Sequence, residues 1–396
     1  MKRLTNQLTF ANGKSSRSKR YKLLADHFGQ IYVADLATYK PDPSKKRAAR
    51  TSYSDKVRVV SEPDEANKAL QQEIHRVVSK KEALLLNPQV FCCVGKSHNN
   101  VVHAVRTAHH SKHCYVLKLD IRNAFGSVNH DSLKRSIHSS GLFTSQAGRF
   151  VRDLVLNDVK PFKRGLPQGH PLSTTFFNLF MQPLDTFLVK QGYQWYRYVD
   201  DIGVFFPTVK EARAAKQLIE AKVEKMGLEL HPLKTRVVSI YKTTLLGYRF
   251  KANQDGTLAS YPSVKRFKDT VDSIFSENYR KGEDAKTLRI KLNKYIKSWA
   301  LAYPETTHIK RLETLDKWVK RKVLEFIHAR YLNKDERLVA FKVLLGKDKI
   351  ARKLANKIHK NPIEILNHYT GTYSFRIRSI KDTFNSQYSY PPLRKA

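Results

Sequence analysis

Three aspartates are the residues on which chemistry would turn. Asp200 and Asp201 are adjacent and lie between two strand-like runs, Trp195 to Val199 and Ile202 to Phe206. Asp120 closes a third such run, Tyr115-Val116-Leu117-Lys118-Leu119. The first two runs read as a hairpin with the acids at its turn. Strand ends laid side by side would gather the three carboxylates around one point. Asp-Asp alone also reads as an ordinary solvated turn, but the apolar strands on both sides argue for a turn backed by a core. Carboxylates gathered there repel one another unless a cation neutralises them. Mg2+ suits such a donor set, because it takes oxygen ligands, keeps some waters and bridges to phosphates. The chemistry open to the site is in-line displacement at phosphorus, with two ions on the attacking and leaving oxygens.

The charge balance points to a polyanionic partner. Lys and Arg number 73 against 35 Asp and Glu, a net of +38 spread along 396 residues. Such an excess repels itself unless a polyanion neutralises it, and nucleic acid is the polyanion expected. Aromatics interleave with basic residues, as in Tyr193-Gln194-Trp195-Tyr196-Arg197-Tyr198, a mix suited to base stacking beside phosphate contacts. A hydrophobic fraction of 41% is enough for a core and excludes a mainly disordered chain. The cysteines Cys92, Cys93 and Cys114 include no Cys-x-x-Cys pair, which argues against a disulfide scaffold or a zinc site. The opening MKRLTNQLTF has no apolar run behind it, so no secretory signal is expected, nor is any membrane span. A soluble protein of a reducing, cytoplasmic compartment is the expectation.

The elements that must position the acids alternate in type. Val57 to Val60 reads as a strand, and Ser61-Glu62-Pro63-Asp64 leads into a helix of about twelve residues through Val78. A helix is expected from Asp131 as N-cap, another from Ser173 through Leu184, and an amphipathic one over 209–227. A further strand is expected from Leu245 to Phe250. Strands mixed with helices in this way imply an α+β layer with a mainly antiparallel sheet. After Pro262 the pattern is helical only. Leu288, Leu292, Tyr295, Ile296 and Trp299 share one face, and Leu312, Leu315, Val319, Val323 and Ile327 share another.

In order and spacing, these motifs resemble those of the reverse transcriptase family over roughly residues 55–335. LKLDIRNAFGSVNH is similar to its first catalytic motif, with Asp120 at the metal position. The resemblance implies two Mg2+ ions, with Mn2+ as a possible substitute, held by Asp120, Asp200, Asp201 and the backbone carbonyl of Ile121. Phe125 falls where the family places an aromatic gate under the sugar, which implies DNA synthesis. GLPQGHPLSTTFFNLFM is similar to the second motif, in which Gln168 and Gly169 would pack on the incoming nucleotide. HPLKT over 231–235 resembles the segment carrying a lysine near the pyrophosphate. That makes Lys234 a candidate acid for the leaving group, though it reads equally as one more exposed lysine. Arg58 fits a triphosphate contact, and Leu246-Gly247-Tyr248 a primer grip. Asn100 and His103 lie in VGKSHNNVVHAV, which resembles a run of bacterial members; template contact is open to both, but capping and packing explain them better.

The fold so implied is a right-hand polymerase. It has a basic extension over 1–56, fingers over 57–115, a palm over 116–262 with part of the fingers around 150–170, an all-helical thumb over 263–335, and a basic extension over 336–396. RNA template, primer, cDNA product and deoxynucleotides are the partners implied, with a dedicated noncoding RNA and a role in antiphage defence among the expectations. A second copy or an accessory protein is open. The chain departs from the family in places. Thr174 follows Ser173 where proline is usual, Val199 stands where group II enzymes have alanine, and no RNase H domain or His-Asn-His nuclease signature is expected. Two alternatives remain at this stage: a maturase-like RNA-binding factor, and synthesis primed by a protein hydroxyl or run without a template.

Overall fold

The computed structural model describes residues 45–50, 57–143, 146–156, 159, 162–331 and 334–345. The chain divides after Ile240 into two compact units, so the segment read as palm, 116–262, spans the division.

In the first unit, β1 (Lys45–Arg50) and β2 (Val57–Glu62) form an antiparallel ribbon. Helix α1 (Glu65–Leu85) follows, capped by Asp64, whose carboxylate accepts the Asn67 N–H at 3.0 Å. It runs past the Val78 end expected from the sequence, because Ser79 to Leu85 contain no helix breaker and Val78, Ser79 and Glu82 are buried. Helix α2 (Asn100–His110) leads to β3 (Tyr115–Asp120), and α3 (His130–Ser140) and α4 (Gln146–Leu156) follow. The cap of α3 is Asn129 rather than Asp131. The Asn129 amide oxygen accepts from both Asp131 N–H and Ser132 N–H, at 3.0 and 2.9 Å, which leaves Asp131 in the first turn.

Helix α5 (Ser173–Lys190) is the centre of the core; Phe176, Phe177, Leu179, Phe180, Met181 and Leu184 on it are all buried. Then come β4 (Gln194–Tyr198), β5 (Asp201–Phe206), α6 (Val209–Lys225) and β6 (Arg236–Ser239). The sheet order is β4-β5-β3-β6, with every neighbouring pair antiparallel. Strands alternate their side chains between faces. Leu117, Leu119, Ile202, Val204, Phe206 and Trp195 therefore share the face that joins the α5 and α6 core. Asp120, Lys118, Asp201, Gly203, Tyr196 and Tyr198 take the other face.

In the second unit, β7 (Tyr248–Ala252) and β8 (Leu258–Pro262) form a hairpin. The strand expected from Leu245 begins only at Tyr248. Leu245 and Tyr248 exchange both backbone hydrogen bonds at 2.9 Å, which makes Leu246-Gly247 a two-residue turn. Both turn residues have positive φ, +45° and +89°, the requirement of a type I′ turn. Helices α7 (Val264–Arg280), α8 (Ala285–Ala302), α9 (Ile309–Arg330) and α10 (Lys334–Leu345) follow. Their core includes Phe267, Leu288, Leu292, Ile296, Trp299, Leu315 and Val323, the apolar stripes seen in the sequence. Among the described residues no helix is long and apolar enough to cross a membrane. The three cysteines are free thiols.

Candidate active site

Asp120 and Asp201 sit directly opposite one another on the β3–β5 ladder, and Tyr198 pairs with Asp201 from the other side. Val199 and Asp200 form the two-residue turn between β4 and β5. Val199 has φ +56°, a conformation that β-branched residues rarely adopt. Positive φ at the first turn residue alone is the pattern of a type II′ turn, whose twist suits a tight hairpin. Holding valine there stores roughly 1–3 kcal/mol of strain. The turn exposes Asp200 and leaves Asp201 half-buried.

The electrostatics follow from this placement. Burial pushes the Asp201 carboxyl above the usual carboxylate range. Lys118 and the Tyr196 hydroxyl pull it back, while Asp200 and Asp120 push it further up. Tyr196 donates to Asp201 Oδ1 at 3.3 Å. Tyr196 is itself completely buried, and its phenol is raised well above its ordinary value, first by burial and then by Asp201. Gly203 makes room for this ring, since a Cβ there would stand 2.3 Å from Tyr196 Cε1.

Asp120 is held from the other side by the 231–235 turn. Its carbonyl accepts the His231 N–H at 2.7 Å, and its N–H donates to Thr235 Oγ1 at 3.2 Å. The same turn brings Lys234 Nζ to 3.6 Å from Asp120 Oδ1, with both side chains about half exposed. Ile121 bridges to Leu230, which anchors the backbone just beyond Asp120.

The Gln168-Gly169 loop is pinned by β2: Ser61 N–H donates to the Gln168 carbonyl at 2.6 Å. Gly169 has φ +114°, and a Cβ there would lie 2.6 Å from the Ser61 carbonyl oxygen, so the approach requires glycine. Behind the loop, Gln71 Nε2 meets His170 Nδ1 at 3.0 Å. Phe125 stacks on Phe177 with ring centroids 4.7 Å apart, and its carbonyl accepts the Leu166 N–H at 2.8 Å. The residue is half-buried, with one ring face on the core. Arg58 lies in β2 opposite Ala49; its side chain is outside the described residues. Asn100 caps a local turn, its side-chain oxygen accepting the Ser97 N–H at 2.8 Å.

Leu246, Gly247 and Tyr248 belong to the second unit. There Tyr248 is buried against Tyr303, and a Cβ on Gly247 would lie 2.7 Å from the Tyr303 hydroxyl oxygen.

A buried polar cluster lies behind the turn, with little sign of it in the sequence. Arg197 is paired with Asp185 and bonded to Asn178, which is bonded in turn to Glu82. The only signal for it was a charged residue at a core-facing position of a strand.

Among the described residues, no group of three or more His, Cys, Asp or Glu side chains is already gathered to hold an ion. The donor set nonetheless fits a hard divalent cation. It is all oxygen, and the Asp201 carboxyl, raised first by burial and least by Asp200 and Asp120, is one whose ionised form a cation would stabilise.

An antiparallel sheet that sets Asp120 and Asp201 at adjacent strand ends is open to metal-dependent displacement at phosphorus. Residues 41–250 match the family described as reverse transcriptase (RNA-dependent DNA polymerase), and the chain belongs to that family. It is an RNA-directed DNA polymerase. It is 24% identical to the retron Ec86 reverse transcriptase of Escherichia coli over 238 residues, 59% of this chain and 67% of that relative. Enzymes of this family use divalent metal ions.

Proposed function

We propose that the chain copies a structured noncoding RNA into DNA at a site formed by Asp120, Asp200 and Asp201. The observation that carries this reading is the direct pairing of Asp120 with Asp201 across β3 and β5, with Asp200 at the turn. In this reading β2, α1 and α2, within 57–115, serve as fingers, residues 116–262 as palm, and the helices over 263–335 as thumb. Two Mg2+ ions, when bound by the three carboxylates and the Ile121 carbonyl, would supply charge stabilisation for the attacking 3′-hydroxyl and the leaving pyrophosphate.

The protein's own groups do the rest. Gln168 and Gly169 seat the nucleotide, and Arg58 reaches its triphosphate. The Phe125 ring rejects a 2′-hydroxyl. Lys234 hands a proton to the departing pyrophosphate oxygen. The Leu246-Gly247-Tyr248 turn grips the primer. The +38 charge and the likeness to a retron enzyme support an RNA partner, and a role in defence against phage belongs to the same reading.

The test is primer extension on RNA templates with Mg2+ or Mn2+, comparing the wild type with Asp200→Asn and Asp201→Asn. Both variants should lose extension. A wild type that extends no primer on any RNA template would end the enzyme reading in favour of an RNA-folding factor. Sequencing the RNA and DNA that co-purify identifies the template, and a random pool would count against a dedicated RNA.

A further inference from the structure

Strand alternation turns Arg197 away from Tyr196 and Tyr198 and onto the helix side of the sheet. It is wholly buried there, at 0% exposure, and Asp185 of α5 is 3% exposed. The guanidinium meets the carboxylate as a fork: Nε donates to Oδ1 at 2.8 Å and Nη2 to Oδ2 at 2.7 Å. The remaining nitrogen, Nη1, donates to Asn178 Oδ1 at 2.9 Å and to the Val199 carbonyl at 3.2 Å. Asn178 is fixed in turn, its Nδ2 donating to Glu82 Oε1 and to the Cys92 carbonyl, both at 2.9 Å. Glu82 Oε2 accepts from Thr175 Oγ1 at 2.8 Å. The Arg197 backbone is also held: its N–H donates to the Gln89 carbonyl at 3.0 Å, and its carbonyl accepts the Phe91 N–H at 2.8 Å.

A buried ion pair is a poor way to gain stability, since apolar side chains of similar volume often serve as well. What the fork adds is direction. Two carboxylate oxygens fix the plane of the guanidinium and so fix where the third nitrogen points. It points at the carbonyl of Val199, the residue whose backbone is strained at φ +56°. Strained backbone persists only where its surroundings over-determine it.

We propose that Arg197 is a positioning residue for the reaction. Oriented by Asp185 and Asn178, it holds the Val199 carbonyl and so keeps the turn in the one conformation that presents Asp200 and Asp201 beside Asp120. The inference rests on the reading of those acids as catalytic.

The test uses two variants of the full chain, Arg197→Lys and the double Arg197→Met with Asp185→Leu. The first keeps a cation for Asp185 without the fork. The second replaces the pair with apolar side chains. Three quantities are read: the melting temperature, kcat and KM for a deoxynucleotide in primer extension, and amide exchange of the peptide spanning 194–206. In either variant that folds, kcat should fall by about tenfold or more, while KM stays within about threefold. Exchange should quicken in that peptide and not across the core. A folded variant with wild-type kcat and exchange overturns the proposal. So does failure of both variants to fold, which would assign the pair to the fold rather than to the turn. Asp201→Asn is the control: if it keeps activity, the reading of the acids fails first, whereas its loss beside an unaffected Arg197 variant sinks this inference alone.

Discussion

Asp120 and Asp201 are cross-strand partners, each the last or first residue of its strand. Like charges placed directly opposite on a ladder destabilise it, so the pairing works against the fold and in favour of binding a cation. This relationship sets the first prediction.

The Asp201 carboxyl is held above its usual range, burial being the main cause. A carboxyl with a raised folded pKa is easier to keep protonated in the fold, so ionising it costs stability. Without metal, that stability is present below the ordinary carboxylate pKa and is lost as the pH rises through the raised value. In a chelator at neutral pH, Asp201→Asn should therefore melt at or above the wild type, with the gap closing as the pH falls into the carboxylate range. Added Mg2+ should raise the wild-type melting temperature and leave the variant's unchanged. Thermal melts with and without chelator check this. An Asp201→Asn variant that melts several degrees low at neutral pH speaks against it.

Gly203 makes room for the ring that bonds Asp201. Tyr196 packs between Phe91 and Phe205, with centroids 6.1 and 5.9 Å away, so it has nowhere to retreat from an added methyl. Gly203→Ala should cost about 1–3 kcal/mol of stability, as overpacked cores do. It should also lower kcat by displacing the Tyr196 hydroxyl. Chemical denaturation and primer extension on the same preparation measure both effects.

Phe125 is held by its stack on Phe177 and is half-buried. Phe125→Ala should let ribonucleotides in, lowering discrimination against them by about tenfold or more. The comparison is kcat/KM for a ribonucleotide and for its deoxy counterpart. An unchanged ratio makes Phe125 a packing residue only.

Lys234 stands 3.6 Å from Asp120 Oδ1 with open access to solvent, so its removal should leave the fold intact. Lys234→Ala should reduce kcat by about 10²-fold or more, the lower range for a general acid. A folded variant with wild-type kcat returns Lys234 to the many exposed lysines.

Burial pushes the Cys92 thiol up from an ordinary 9.0 to about 11, with Arg197 opposing. At pH 8 roughly one thiol in a thousand is then ionised, against about one in ten without the shift. Iodoacetamide should label Cys92 about a hundredfold more slowly in the native protein than in the urea-unfolded chain. Mass spectrometry of the labelled peptide reads the ratio.

Much of the secondary structure around the acids could be read in the linear sequence because those elements are short-range. The β3 strand occurs where Tyr115 to Asp120 alternates, and the β4–β5 hairpin occurs within one residue at each end of the apolar runs around Asp200 and Asp201. The apolar stripes of α8 and α9 face the core as their spacing requires. Where the reading missed, a competing contact decided. Asn129 outbid Asp131 as cap because its oxygen reaches two N–H groups at once. The Leu246-Gly247 turn took three residues from the expected strand. Helix α1 ran on because Glu82 found Thr175 and Asn178 to satisfy it inside the core.

By itself, the sequence determined which residues are acids, that the runs flanking them are strands, and that a glycine follows Gln168. These follow from side-chain period, turn chemistry and the identity of single residues. Only the tertiary structure decided the register that puts Asp120 opposite Asp201, the carbonyl of Ser61 that makes Gly169 obligatory, and the fork of Asp185 that aims Arg197 at Val199. Each joins residues on different elements. Such a pairing depends on how strands align and helices pack, a choice made by the buried surface of the whole sheet and its core rather than by any local run of residues.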